Sequence, residues 1–351
     1  MNSNQFSHEV FMQRCFDLAR MGRTGVSPNP MVGAVLVHQN KIIGEGYHEQ
    51  FGGDHAEVRA VASVAPEKRH LIPDATLYVS LEPCCFYGKT PACTDLIRAQ
   101  RIKRVVVSAL DPTPEVNGQG VVQLKASGVE VITGVLEAAG KSLIARRGKF
   151  VNTQMPWITL KFAQTQSGLF SPLPKSRMMI STPLTQRWVH KMRAEADAIM
   201  VGMDTVLVDD PALTTRFYPG NSPLRVVIGD VSRLRADLQI LNRDAKTLIY
   251  HTGKEITESL ETGHARVVAL ETFSLKSVFQ DIAAQNIGNL LIEGGSRLLQ
   301  SVLATTYWDE AIIIRGAGFF PEGTPAPVVP GTLTNRKRCG EDEVLTFARK
   351  C

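Results

Sequence analysis

The chain has no apolar run that could cross a bilayer: stretches such as Ala311–Ile314 fall far short of the roughly 18 residues required. A helical membrane protein is thereby excluded. Excess charge of one sign is also missing. The 39 basic and 34 acidic residues leave a formal net charge of +5 and are interleaved along the 351 residues. Short basic knots stand only at Arg146, Arg147, Lys149 and at Arg336, Lys337, Arg338. These read as solvated surface, so no nucleic-acid partner is expected, although basic residues also suit a phosphorylated small substrate. Internal repeats and low-complexity tracts are absent, and 44% hydrophobic against 21% charged residues is the balance of a folded globular chain. The first residues, MNSNQFSHEVFMQRCFDLARMG, are polar where a signal peptide would be apolar, so a cytoplasmic location is expected. In that reducing compartment six cysteines argue against a disulfide framework, and each is a candidate ligand or a buried apolar residue.

What is present is an α/β grammar, repeated. At about 150 residues per domain the length implies two domains. In the first half the strand candidates are 32–37, 76–80, 105–109 and 129–132. Helices are expected at about 7–21, 55–64, from Cys93 through Gln100, and at 119–126, the pattern of a sheet covered by helices on both faces. The texture changes over 145–156, where basic and polar residues end in a proline, and the boundary is placed there, dividing the chain into 1–147 and 148–351. The second half has strand candidates at 157–162, 198–201, 226–228, 247–250, 267–270, 290–292 and 311–314. An ordinary dinucleotide-binding fingerprint is lacking, because Pro321 stands where the third glycine after Gly316 and Gly318 belongs.

The strongest chemical signal is His55-Ala56-Glu57, followed by Pro83-Cys84 and then Cys93. One imidazole and two thiolates leave the fourth tetrahedral position of a zinc ion open for water, which a catalytic site needs and a closed structural site does not offer. The order of the two arms, with a glutamate two residues after the histidine, is that of zinc deaminases. His55 and Cys93 each fall at an expected helix start, where the dipole favours anionic ligands. Glu57 is then the general acid and base. Cys15, Cys85, Cys339 and Cys351 lack such company and are assigned no chemistry.

The two zinc cysteines are separated by eight residues, CFYGKTPA, rather than the two of the simplest nucleoside deaminases. EPCCFYGKTPAC (82–93), with PNPMVG (28–33), GYHEQFGGDHAE (46–57) and DPTPEVNGQG (111–120), closely resembles the bifunctional riboflavin-biosynthesis deaminase/reductase family. The resemblance implies a cytidine-deaminase-like N-terminal domain that uses Zn2+ to remove the 2-amino group of a diamino-pyrimidinone carrying a ribosylamino phosphate. It places Asn29, His48 and Lys89 around the base and phosphate. One departure is Phe86, where the family has a histidine.

The resemblance continues into a second domain similar in fold to dihydrofolate reductase, which implies NADPH use without the glycine fingerprint and reduction of the ribosyl group to ribityl. Lys161 matches a family lysine and is expected to be catalytic, Arg193 and Arg216 are expected on the substrate phosphate, and Leu213 and Glu293 beside the substrate. Asp209, within VLVDDPALTTR (206–216), is expected near the nicotinamide as a catalytic and cofactor residue. Ala163, Thr205, Gly294, Gly295 and Ser296 complete the expected cofactor contacts, the last three where a strand gives way to a helix whose amides can receive phosphate. Two departures stand out: Thr165-Gln166-Ser167-Gly168 replaces SLDG, and Met178 or Met179 replaces a tryptophan. They motivate a rival reading, an active deaminase joined to a decayed reductase. A nucleic-acid-editing deaminase is a further rival, opposed by the interleaved charge, and a zinc-stabilised binding module another, opposed by Glu57 and the missing fourth ligand. A homo-oligomer, dimer or tetramer, is expected.

Overall fold

The structure is a computed structural model and describes residues 3–88, 91–252, 264–270 and 272–350. The chain divides into two compact units, Met1–Gln154 and Met155–Cys351. The sequence boundary at 147 falls inside a helix of the first unit; basic residues there mimic a linker although they are helical.

The first unit runs α1 (Ser3–Met21), β1 (Gly33–His38), β2 (Lys41–Tyr47), α2 (Ala56–Ala62), β3 (Thr76–Leu81), α3 (Cys93–Ala99), β4 (Arg104–Ala109), α4 (Gln119–Ala126), β5 (Glu130–Thr133), α5 (Glu137–Leu143) and α6 (Ala145–Thr153). Its sheet has the order β2-β1-β3-β4-β5, antiparallel at β1 and parallel from β3 to β5. Because successive strand residues point to opposite faces, Ala34, Leu36, Leu77, Val79, Val105 and Val107 form one core with α2, α3 and α4. Val35, Val37, Tyr78 and Val106 form a second with Met12, Cys15 and Phe16 of α1. Cys15 is thus an apolar core residue. The strand β2 is not among the strands that the apolar pattern predicts. Its Gly44 and Gly46 break that pattern, yet a Cβ at either would lie 2.4 and 2.6 Å from backbone atoms of Ala60; glycine there lets α2 sit directly on the strand.

The second unit runs β6 (Trp157–Thr165), β7 (Leu169–Pro172), α7 (Pro183–Ala194), β8 (Ala198–Gly202), α8 (Met203–Asp209), β9 (Leu224–Gly229), β10 (Thr247–His251), β11 (Ala265–Val268), α9 (Leu275–Ala284), β12 (Asn289–Ile292), α10 (Ser296–Leu303), β13 (Glu310–Gly316), β14 (Gly323–Pro325), β15 (Gly331–Cys339) and β16 (Asp342–Arg349). The large sheet has the order β11-β10-β9-β8-β12-β6-β13-β16-β15. It is parallel from β11 to β13 and closes in the antiparallel β16 and β15. Met200, Leu290 and Ile292 pack with α9 and α10 on one face, while Ile199, Val201 and Leu291 pack with α8 on the other. In such sheets ligands sit beyond the carboxyl ends of the strands, where β6, β8 and β12 deliver the loops described next.

Candidate deaminase and reductase sites

His55 is the residue that caps α2, and Cys93 opens α3. Cys84 follows β3 by a short loop that includes Pro83. These three elements bring the ligand atoms of His55, Cys84 and Cys93 within 4.8 Å of one another. His55 Nδ1 lies 3.3 Å from Cys93 Sγ and 3.5 Å from Cys84 Sγ, and the Cys93 amide donates to Cys84 Sγ at 3.3 Å. The three groups share protons among themselves. Hydrogen bonds from Cys93 and His55 hold the Cys84 thiol down to about 4. The Cys84 sulfur pushes His55 up to about 9 and Cys93 upward. A thiolate-rich set of one nitrogen and two sulfurs suits zinc, and no fourth protein ligand completes it among the described residues. Glu57, in the first turn of α2, is 3% exposed; burial pushes its carboxyl up to about 7 against the opposing pull of His55.

His55, Glu57 and Cys84 open on a cavity of about 300 Å³. Asn29 and His48 line it together, with Asn29 Nδ2 3.1 Å from His48 Nε2 and His48 Nδ1 2.9 Å from the Asp54 carbonyl. Burial lowers the His48 pKa, so this pair offers hydrogen bonds rather than charge. Phe86 is on the cavity wall but 53% exposed, where an aromatic ring offers a stacking face instead of a histidine's nitrogen. Lys89 lies outside the described residues, as does Cys351.

In the second unit Glu293, just past β12, is the centre of a buried charge cluster. Arg193 of α7 grips it bidentately, Nε to Oε1 at 3.1 Å and Nη2 to Oε2 at 2.7 Å, and Lys161 Nζ of β6 stands 3.4 Å from Oε2. Burial pushes the Glu293 carboxyl up, but the two cations outweigh it and hold it down to about 2. Burial lowers the Lys161 pKa. Arg193 also donates to the Thr214 carbonyl at 3.3 Å, and Arg216 to Thr214 Oγ1 at 2.8 Å. The guanidinium expected on a phosphate, Arg193, is therefore committed to protein acceptors; Arg216 is the freer one, facing an open depression of about 450 Å³ with Arg187 and Phe217. Leu213, buried at a positive φ of 52°, turns the chain into Thr214.

The glycine pair after Glu293 has a clear steric reason. A Cβ on Gly294 would approach Thr205 and Val201 to 3.0 Å, and Gly295, at φ 74°, precedes Ser296 at the start of α10. The two glycines thus let the turn pack closely against Thr205, and helix starts such as that of α10 present free amides that suit a phosphate. Asp209 lies four residues beyond Thr205 and so shares its face of α8; burial raises its pKa. It makes no ion pair with the Lys161, Arg193, Glu293 cluster. Ala163, two residues beyond Lys161, projects from the same side of β6.

Two family models match the chain: "Cytidine and deoxycytidylate deaminase zinc-binding region" over residues 6–109 and "RibD C-terminal domain" over residues 156–344. Riboflavin biosynthesis protein RibD of Aquifex aeolicus is 36% identical over 97% of this chain and 98% of its own length. That of Escherichia coli is 33% identical over 87% of this chain and 86% of its own. The chain belongs to the RibD family of riboflavin biosynthesis. The crystal structure of the Thermotoga maritima deaminase/reductase of this family superposes with a TM-score of 0.90 at 32% identity, covering 99% of this chain and 100% of that one. Like the RibD proteins it matches, the chain is a bifunctional deaminase and reductase, with a zinc-binding deaminase part and a reductase part.

Around the RibD signature the fold assigns work to residues that the motifs leave without a role. Glu82, the first residue of the EPC motif, is 3% exposed and accepts backbone amides of Asp111 at 3.1 Å, Gly118 at 2.8 Å and Val121 at 3.2 Å. It thereby fixes the loop that forms one cavity wall. A carboxylate at the end of an apolar strand is the signal that sequence offers for it. Arg147, expected on the solvated surface, instead lines the deaminase cavity, a correction that no local pattern announces because α6 reaches the site only in the fold. His190 is buried and accepts the Arg216 amide at 2.9 Å; burial and the two nearby arginines lower its pKa to about 4, so it stays neutral. The RibD departure at 165–168 is a well-made turn: Gly168 donates to the Thr165 carbonyl at 3.0 Å, and Ser167 Oγ lies 2.8 Å from Thr165 Oγ1. Met178 and Met179 are both exposed.

Proposed function

We propose that His55, Cys84 and Cys93 hold zinc, that Glu57 moves the protons of deamination, and that the 155–351 unit then reduces the deaminated product with NADPH. The observation that carries the reading is the meeting of one nitrogen and two sulfur donors within 4.8 Å, beside a buried carboxylate in a cavity of about 300 Å³. The substrate is a diamino-pyrimidinone bearing a ribosylamino phosphate, the kind of compound after which the Thermotoga maritima deaminase is named. Bound zinc supplies Lewis acidity, which makes water a nucleophile at neutral pH. Glu57 accepts the proton of the attacking water and returns protons to the ring nitrogen and the departing amine, so that water enters and ammonia leaves. Asn29 and His48, already hydrogen-bonded to each other, hold the pyrimidine edge.

In the reductase part, bound NADPH would supply a hydride to the sugar carbon attached to nitrogen, whose bond to the ring oxygen breaks while that oxygen takes up a proton, leaving an open ribityl chain. The Gly294–Ser296 turn and Thr205 receive the dinucleotide, with Asp209 and Ala163 along the same wall. Lys161 and Glu293 present a charged N–H and a carboxylate oxygen to the sugar, and Arg216 pairs with the substrate phosphate, which guanidinium suits through bidentate contacts. Arg193 orients Glu293. The intact Lys161, Glu293, Arg193 cluster favours a working reductase over a decayed one. We place the enzyme in the cytoplasm as a homo-oligomer of two or four chains without a nucleic-acid partner. No helix among the described residues is long and apolar enough to cross a membrane.

The test is to give the purified protein the diamino-pyrimidine ribosyl phosphate with and without NADPH, following ammonia and reduced-nicotinamide absorbance separately. Ammonia release without NADPH, and NADPH consumption only after it, is the expected result. Ammonia release with no NADPH consumption would leave a deaminase alone.

A further inference from the structure

We infer that Arg147 is the phosphate-recognising residue of the deaminase cavity, the group that makes this half of the enzyme select a phosphorylated pyrimidine over its unphosphorylated riboside. The inference rests on the deaminase reading above. Arg147 is the one lysine or arginine among the described residues lining the cavity. It comes from α6, whereas the metal donors come from the starts of α2 and α3 and the segment after β3, so it is supplied to the cavity by a separate part of the chain.

The surroundings leave its charge for a ligand. Arg147 is half-buried, and that burial lowers its pKa, opposed by the charge of Asp111. Yet it makes no hydrogen bond or ion pair among the described residues, while its neighbours in the basic knot, Arg146 and Lys149, have partners of their own. The carboxylates that line the same cavity have partners elsewhere in the protein. Asp111 accepts the Thr113 amide at 2.8 Å. Glu82 accepts three backbone amides, and Glu57 belongs to the metal end. A guanidinium carries five donors, which at Arg147 no protein acceptor among the described residues takes, and a phosphate monoester offers oxygens in the matching planar spacing. The base end of the substrate is served by the neutral Asn29 and His48 pair, which has no charge to offer an anion.

The experiment compares steady-state ammonia release from the phosphorylated pyrimidine and from its unphosphorylated riboside, in the full-length zinc-loaded protein and in Arg147→Ala and Arg147→Lys. The expected result is that Arg147→Ala raises KM for the phosphorylated compound about 10-fold or more, the loss of one charge-assisted contact. Its KM for the riboside, its kcat and its zinc content should be unchanged, Arg147→Lys should recover part of the loss, and inorganic phosphate should inhibit the wild type more strongly than Arg147→Ala. An equal rise of KM for both compounds, or no rise for the phosphorylated one, overturns the assignment while leaving the deaminase intact. A wild-type protein that releases no ammonia from either compound overturns the deaminase reading, and this assignment with it.

Discussion

Replacing Glu82 with alanine tests whether one buried carboxylate holds the deaminase cavity in shape. Its two oxygens take the amides of Asp111, Gly118 and Val121. Gly118 is the cap residue of α4 and Val121 lies in its first turn, so Glu82 serves as an N-terminal cap supplied from another strand, with its charge at the positive end of the helix. Alanine leaves three donors without this acceptor. At about 1 kcal/mol for each amide that water reaches only partly, the loss is ~3 kcal/mol, a large share of the roughly 5–15 kcal/mol that holds a domain together. For a unit of this size that corresponds to a fall in Tm of roughly 6–12 °C. Calorimetry should show the fall in the transition that coincides with zinc release, and hydrogen exchange should quicken at Gly118 and Val121. Because Asp111, Thr113 and Val116 line the cavity, KM for deamination should rise too. Glu82→Gln, which keeps one acceptor oxygen, should lose less. A Tm for Glu82→Ala within about 1 °C of wild type, with unchanged exchange at the two amides, would refute the reasoning.

Glu57→Gln should retain zinc by metal analysis while ammonia release falls about 100-fold or more, the usual contribution of a positioned acid and base; near-normal release would remove Glu57 from the proton path. Cys84→Ser and Cys93→Ser should each come out of purification with little zinc, and wild type with one zinc per chain. Chelation should abolish ammonia release yet spare NADPH oxidation on the already deaminated pyrimidine, because no residue of the Lys161, Arg193, Glu293 cluster is a zinc ligand. Since Glu293 is held down from the ordinary 4.5 to about 2, its ion pairs stabilise the fold above pH 4.5, and that contribution is lost as the pH falls from about 4.5 through about 2. Acid unfolding followed by circular dichroism should be less steep for Glu293→Gln in that window; identical slopes would show that the pairing adds nothing to stability.

The three proposed zinc ligands are legible in the sequence because their spacing is local chemistry: a histidine and glutamate at one helix start, and a Pro-Cys pair and a second cysteine leading into the next. The strands of both sheets are legible where a continuous apolar run reports burial on two faces, as at 105–109 and 311–314. β2 is not, since glycines chosen for contact with Ala60 carry no hydrophobic signal. β15 is hidden as well: its exposed Asn335-Arg336-Lys337-Arg338 edge reads as loop until β16 supplies the partner. Lys161, Arg193 and Glu293 can each be named from the sequence by resemblance. That Arg193 spends its guanidinium on Glu293, 100 residues away, is a consequence of α7 packing on the sheet in which β6 and β12 are neighbours. Glu82 and Arg147 make the same point for the deaminase. Periodicity and motif spacing report what a residue's near neighbours require, whereas the partner of a buried charge, and the absence of one, are set by chain segments that only the tertiary structure brings within hydrogen-bonding distance.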